Sequence, residues 1–117
     1  MNNLRNSVQL IGHLGNNPEL KILEGGKKLA TMSMATKDVF KNSKGEKVVE
    51  TTWHNIVAWG KLAENMEVFL RKGNQVALKG KLQHRSYTDK EGTKRHITEI
   101  LVKEFMLVSK AQPSVQA

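Results

Sequence analysis

Apolar and polar residues alternate along most of this chain, and the places where the alternation stops mark its turns. In residues 5 to 14, Val8 and Leu10 alternate with Ser7 and Gln9, the two-residue period of a strand with one buried face. Gly12, Gly15 and Pro18 break that period, as a sharply bent strand or a turn would. Gly25 and Gly26 mark the next turn. Leu29 to Phe40 then form a second strand, with Met32 and Met34 on one face and Thr31 and Ser33 on the other. A polar tip, Asn42-Ser43-Lys44-Gly45, returns the chain as a third strand from Lys47 to Trp59. Here the period changes. Leu62, Met66, Phe69 and Leu70 follow at spacings of four, three and one, the apolar stripe of a short amphipathic helix. Gly73 is placed to stop that helix. Gln75 to Tyr87 resume the two-residue period as a fourth strand, Asp89 to Gly92 supply a turn, and Arg95 to Val108 form a fifth.

Three strands, one helix and two strands is the order of the OB-fold, a small barrel that binds oligonucleotides or oligosaccharides. The expected fold is therefore all-β: a five-stranded OB-fold barrel with one short helix between the third and fourth strands, other small barrels with a helix being the alternative. A length of 117 residues fits one domain. There is no internal repeat and no low-complexity stretch. Residues 1 to 110 read as the domain, and residues 111 to 117 as a short flexible C-terminal end. Met1 to Gly12 lack the apolar core of a signal peptide, and no apolar run approaches the roughly 20 residues a membrane helix needs. A soluble, cytoplasmic protein without a membrane partner is expected.

Candidate chemistry narrows the function by subtraction. The chain has no cysteine, which removes disulfides, thiolate metal sites and a cysteine nucleophile together. His13, His54, His84 and His96 lack the close spacing of a metal-binding helix, so no metal or other cofactor is expected. Neither a Gly-x-Ser-x-Gly elbow nor a phosphate-binding Gly-Lys-Ser/Thr loop is present. Asp89 and Glu91 read as solvated turn acids. Nothing points to an enzyme.

Charge points elsewhere. The net charge is +8, from 19 Lys and Arg against 11 Asp and Glu, which predicts attraction to polyanions. Its placement is more informative than its total. Between residues 71 and 96 lie Arg71, Lys72, Lys79, Lys81, Arg85, Lys90, Lys94 and Arg95, opposed only by Asp89 and Glu91. In the fourth strand Lys79, Lys81, Arg85 and Tyr87 share one face, while Val76, Leu78 and Leu82 share the other, expected to be core. A solubilising outer face with a stray tyrosine is the bland reading of the first set. Trp53 and Trp59, six residues apart, share a face of the third strand at a separation of roughly 20 Å. Core packing is the commoner fate of tryptophan. Yet Phe69 already belongs to the helix stripe, while Phe40, Trp53, Trp59 and Tyr87 all lie on strands and hairpins beside lysines. Interleaved cations and rings suit single-stranded nucleic acid, because phosphates are neutralised while unpaired bases stack. An RNA-binding barrel of the cold-shock kind meets the same description. So does an OB-type domain that uses its aromatics to bind other proteins.

The segment Thr52-Trp53-His54-Asn55-Ile56-Val57-Ala58-Trp59-Gly60-Lys61-Leu62-Ala63-Glu64 closely resembles bacterial single-stranded DNA-binding proteins. Further matches are Val8 to Gly15 with Pro18-Glu19, Ala35-Thr36, Leu70-Arg71-Lys72-Gly73 and Tyr87-Thr88-Asp89, so that the resemblance covers roughly residues 3 to 108. It implies stacking aromatics at Phe40, Trp53, Trp59 and Tyr87, two of which, Phe40 and Tyr87, stand where tryptophan is frequent. With the basic residues Lys79, Lys81, Arg85, Arg71 and Lys72 they make up the expected DNA-binding set. The resemblance also implies a homotetramer wrapped by DNA, with His54 near the subunit contacts, serving replication, recombination and repair near the nucleoid. The family's usual acidic tail with a terminal phenylalanine, which recruits replication and repair proteins, has no counterpart here: no acid follows Glu104. Either the sequence is truncated before that tail, or this is a short member that protects DNA without that mode of recruitment.

Overall fold

The computed structural model describes residues 4–110, so the C-terminal end expected to be flexible lies outside the described residues. In chain order it contains β1 (Val8–Leu14), β2 (Glu19–Ile22), β3 (Lys28–Lys41), β4 (Lys47–Trp59), helix α1 (Gly60–Phe69), β5 (Gln75–Thr88) and β6 (Lys94–Ser109). The five expected strands and the helix are all present, with ends within a few residues of those read from the pattern. The addition is β2, whose four residues are too few to show a period. It pairs antiparallel with the start of β3, Glu19 opposite Thr31 and Ile22 opposite Lys28. Since β1 also reaches β3, the two segments run along the same neighbour as one strand broken at Gly15–Pro18.

The bend before that break closes the barrel. Val8 to His13 pair with β5, while His13 and Leu14 pair with Ala35 and Met34 of β3. β5 pairs with β6 and β3 with β4, both antiparallel. β4 meets β6 in parallel, through Ile56–Ile100 and Val57–Leu101. The strand neighbours thus return on themselves. β1 passes from β5 to β3 where its backbone comes against that of β3, and Gly12 is that close approach. A Cβ built there would stand 2.2 Å from the carbonyl oxygen of Ala35.

Closure fixes which parity faces in. Met32 and Met34, Ile56 and Ala58, Val76 and Leu78, and Ile100 and Val102 form the core. Helix α1 packs on β3 and β4 and adds Ala63 and Met66 to it. An ion pair between Glu64 and Lys28 ties the helix to the start of β3. The hydrogen bond from Lys28 holds the Glu64 carboxyl below its ordinary value. Among the described residues no helix is long and apolar enough to cross a membrane.

Three expectations need correction. Phe69 is 63% exposed. The helix ends there, and extended backbone at Leu70 (φ −110°, ψ 147°) turns Leu70 into the core and leaves Phe69 outside. Gly73 therefore does not stop the helix; at φ 90° it belongs to the turn leading into β5. Leu82 is not core but 42% exposed, at the rim where the long β5–β6 hairpin leaves the barrel.

The closure geometry predicts that Gly12→Ala lowers the unfolding free energy by about 1–3 kcal/mol, as overpacking does where a backbone must shift. Denaturant titration measures this, and parent-like stability would contradict the close crossing.

Candidate nucleic-acid interface

By alternation the outward residues of β4 are Trp53, Asn55, Val57 and Trp59, and β3 sets Ala35, Ser33, Thr31 and Leu29 opposite them. The two tryptophans share a face, as expected, and neither is core: Trp53 is 60% exposed and Trp59 43%. The same face continues across β6 onto β5. A cavity of about 290 Å³ lies between Trp59 and Arg85, lined also by Val57, Gln83 and Glu99. A second, of about 170 Å³, separates Trp53 from Leu82 and Ile100. The first, with apolar walls and a few polar groups, has the usual character of a small-ligand site, while the second is as polar as it is apolar.

The bend between β1 and β2 sets the position of Trp53. A Cβ built on Gly15 would stand 2.5 Å from the indole and 2.8 Å from the Ser33 hydroxyl oxygen. The ring therefore occupies space that any other residue at position 15 would claim. The bend itself is pinned on both sides. Asn16 Oδ1 accepts from the Ser33 amide at 2.8 Å and from its hydroxyl at 2.9 Å. Asn17 Oδ1 accepts from the Lys72 amide at 2.7 Å. One short loop thus joins the Trp53 platform to the basic turn after the helix. Asn16 and Asn17 were missed from sequence, where only Gly12, Gly15 and Pro18 marked this break.

The expected basic set does not form one cluster. Lys81, Arg85 and Tyr87 follow one another on the outward face of β5, and the Arg85 guanidinium carbon lies 6.0 Å from the Tyr87 ring centre. Arg85 also donates its Nε–H to buried Glu99 at 2.8 Å. Lys79 stands apart, paired in register with Gln9 of β1 and Glu104 of β6. There it borders an apolar row in which Ile11, Ala77 and Met106 adjoin. Arg71 directs one guanidinium nitrogen to the carbonyls of Glu67 and Leu70, 2.6 and 2.7 Å away, and so caps the helix end. Lys72 is exposed beside it. Phe40 is exposed far out on the β3–β4 hairpin, opposite Val48. By alternation it lies on the other side of that ribbon from Trp53. His54 is half-buried and shares a 2.9 Å hydrogen bond with the Thr36 hydroxyl.

At the tip of the β5–β6 hairpin, Asp89 accepts from Arg95 Nε at 2.9 Å and from the amides of Glu91 and Thr93. These bonds, Arg95's first, hold its carboxyl below the ordinary aspartate value. Asp89 therefore builds the turn, to which Glu91 contributes only its backbone amide.

The chain matches the model of the single-strand binding protein family over residues 5–108. Two curated relatives are each 44% identical. One is a single-stranded DNA-binding protein from Xylella fastidiosa, matched over 92% of this chain and 79% of its own. The other, from Chlorobaculum tepidum, is matched over 88% and 64%. Among solved structures, a Plasmodium falciparum SSB in complex with ssDNA superposes with a TM-score of 0.83 at 32% identity, covering 93% of this chain and 100% of that one. A deletion mutant of the single-stranded DNA binding protein from Thermus aquaticus gives 0.78 at 25% identity, over 89% and 50%.

The Gly15 contact carries a direct consequence. Its nearest obstructing atoms belong to side chains, so Gly15→Ala displaces the Trp53 ring rather than the backbone, at a cost of about 1 kcal/mol in stability. With Trp59→Phe in place, Trp53 alone reports. Its near-ultraviolet dichroism should weaken and its emission shift to the red, whereas unchanged spectra would contradict the contact.

Proposed function

Because the chain belongs to the single-strand binding protein family, we propose that it binds and protects single-stranded DNA without strong sequence preference, across the outward face of β3, β4, β6 and β5. The observation that carries this reading is the exposure of Trp53 and Trp59 on one sheet face, with Tyr87 and the Lys81–Arg85 cations on β5, across β6 from them. Large rings left in water gain nothing until something flat covers them. Unpaired bases do so at about 1 to 3 kcal/mol each, irrespective of sequence. The family is one of binding proteins, and the chain is not an enzyme. Roles in replication, recombination and repair at the cytoplasmic nucleoid extend the same proposal.

Within it the basic residues divide unequally. Arg85 lies beside the Tyr87 ring and, with Lys81 on the same face of β5, meets phosphates. Lys72 extends the path at the turn after the helix, and Phe40, on the far side of the β3–β4 ribbon, joins it only where the DNA strand passes around that hairpin. Arg71 takes a smaller share, since part of its guanidinium is spent on helix carbonyls. Lys79 lies instead where β5 is flanked by β1, next to Ile11 and Met106, which are among the most exposed apolar side chains of the described residues. Such a row on an outward sheet face favours association. We assign it to self-assembly, with a homotetramer as the product. His54, only half-buried within one subunit, keeps an edge for the subunit contact that the family resemblance implies.

Titration with oligo-dT should strongly quench tryptophan emission. Trp53→Ala or Trp59→Ala should each cost about 1 to 3 kcal/mol of affinity with the fold retained. Lys81→Ala should flatten the dependence of log affinity on log salt by about 0.7, the value for one phosphate contact on a single strand. Lys79→Ala should leave that slope nearly unchanged. Unfolding of both tryptophan variants without selective loss of affinity, or equal slopes for parent and Lys81→Ala, would refute the proposed path.

Assembly is checked separately by light scattering at micromolar concentration, which should give about four times the chain mass of 13.2 kDa. Met106→Lys should lower that mass. A monomeric parent would remove the wrapping mechanism while leaving strand binding intact.

A further inference from the structure

Glu99 is the only buried acid among the described residues, 3% exposed, and it sits in the middle of the proposed strand-binding face. It borders both cavities, the one beside Trp59 and the one beside Trp53. A carboxylate there repels a polyanion and is costly to bury unless it is paired. Two partners meet it. Oε1 accepts from Gln83 Nε2 at 3.0 Å and from Arg85 Nε at 2.8 Å.

The atom that Arg85 uses decides what is left of it. A guanidinium is planar and rigid, so a bond at Nε fixes the direction of its two terminal nitrogens. Those nitrogens hydrogen-bond to nothing among the described residues, and the Arg85 side chain is 53% exposed. A free fork of two N–H groups matches the oxygens of a phosphate bidentately. Its neighbour along the strand is the Tyr87 ring, 6.0 Å from the guanidinium carbon. A ring for a base and a fork for the adjoining phosphate are therefore held as one unit.

We propose that Glu99 is a positioning residue, which aims the Arg85 fork at a backbone phosphate beside the base stacked on Tyr87. The proposal rests on the strand-binding reading above. It reverses the sign that net charge alone predicts: removing this acid weakens the grip on DNA instead of strengthening it, unless the replacement still accepts the Arg85 bond.

Two variants separate acceptor from charge. Glu99→Gln and Glu99→Met lose the same charge and nearly preserve volume, but only Gln keeps an oxygen for Arg85 Nε. Glu99→Met should bind oligo-dT about fivefold more weakly than Glu99→Gln, the scale of one net hydrogen bond. Its salt slope should be shallower by about 0.7, one phosphate contact. In an Arg85→Ala background the difference between the two variants should vanish. Equal affinities for Gln and Met, or tighter binding by Met, overturns the proposal. So does a Met–Gln difference that persists without Arg85.

Failure of the underlying reading looks different, since the parent would then not bind oligo-dT, or Arg85→Ala would keep the parent's slope. One measurement needs no variant. In the unmutated protein without DNA, the Arg85 Nε–H should give a slowly exchanging NMR signal. Exchange as fast as that of free arginine overturns the proposal even if Glu99→Met fails to fold.

Discussion

A small barrel closes only if its first and last strands meet, and here β1 makes that junction by leaving β5 for β3 within the space of His13 and Leu14. The backbones cross so tightly at Gly12 that no side chain fits between them. Leu14 then donates its amide to the Asn74 carbonyl, and its own carbonyl accepts from the Gly73 amide, which fastens the same bend to the start of β5. Once the ring of strands is shut, every strand has one side in and one side out, and a shift of one residue would exchange them. The core of Met34, Ile56, Val76 and Val102 follows from that choice. So do the outward tryptophans.

The outward face is where the molecule accepts costs that a mere scaffold would avoid. Trp53 and Trp59 keep much of their surface in water, and the Glu99 carboxylate is buried beneath the same face. These features agree once the face is taken as a template for a chain of alternating rings and charges. The tryptophans supply flat apolar area. Glu99, Arg85 and Tyr87 hold a cation and a ring in a set relation. The bend at Gly15 to Asn17 connects the closing strand to this face, since it underlies Trp53 and anchors Lys72. Barrel closure and ligand geometry thus share a loop.

Much of this was legible in the sequence, because two-residue alternation survives wherever a strand has one wet face. Met32 and Met34, Val76 and Leu78, and the shared face of Trp53 and Trp59 could all be read from parity. What was not legible depends on tertiary context. The four residues of β2 are too few for a period. Phe69 and Leu70 are neighbours with opposite fates, decided by where the helix stops. Leu82 keeps the parity of the core yet lies at its rim. Lys79 shares a face with Arg85 on paper, but closure by β1 gives it different neighbours. Glu99 left one faint trace, an acid just before the apolar run Ile100-Leu101-Val102. Its register opposite Gln83, and its bond to Arg85, exist only after β5 and β6 pair.

The central claim is that a single strand of DNA lies on the outward face of β3, β4, β6 and β5, and not on the apolar row of Ile11, Ala77 and Met106. Photocrosslinking tests it most directly. An oligo-dT carrying 5-bromodeoxyuridine at successive positions would be irradiated on the protein, and the attached residues mapped by mass spectrometry. The account predicts attachment at Trp53, Trp59 and Tyr87. Crosslinks confined to the peptides of Ile11 or Met106, with those three rings unmodified, would contradict it.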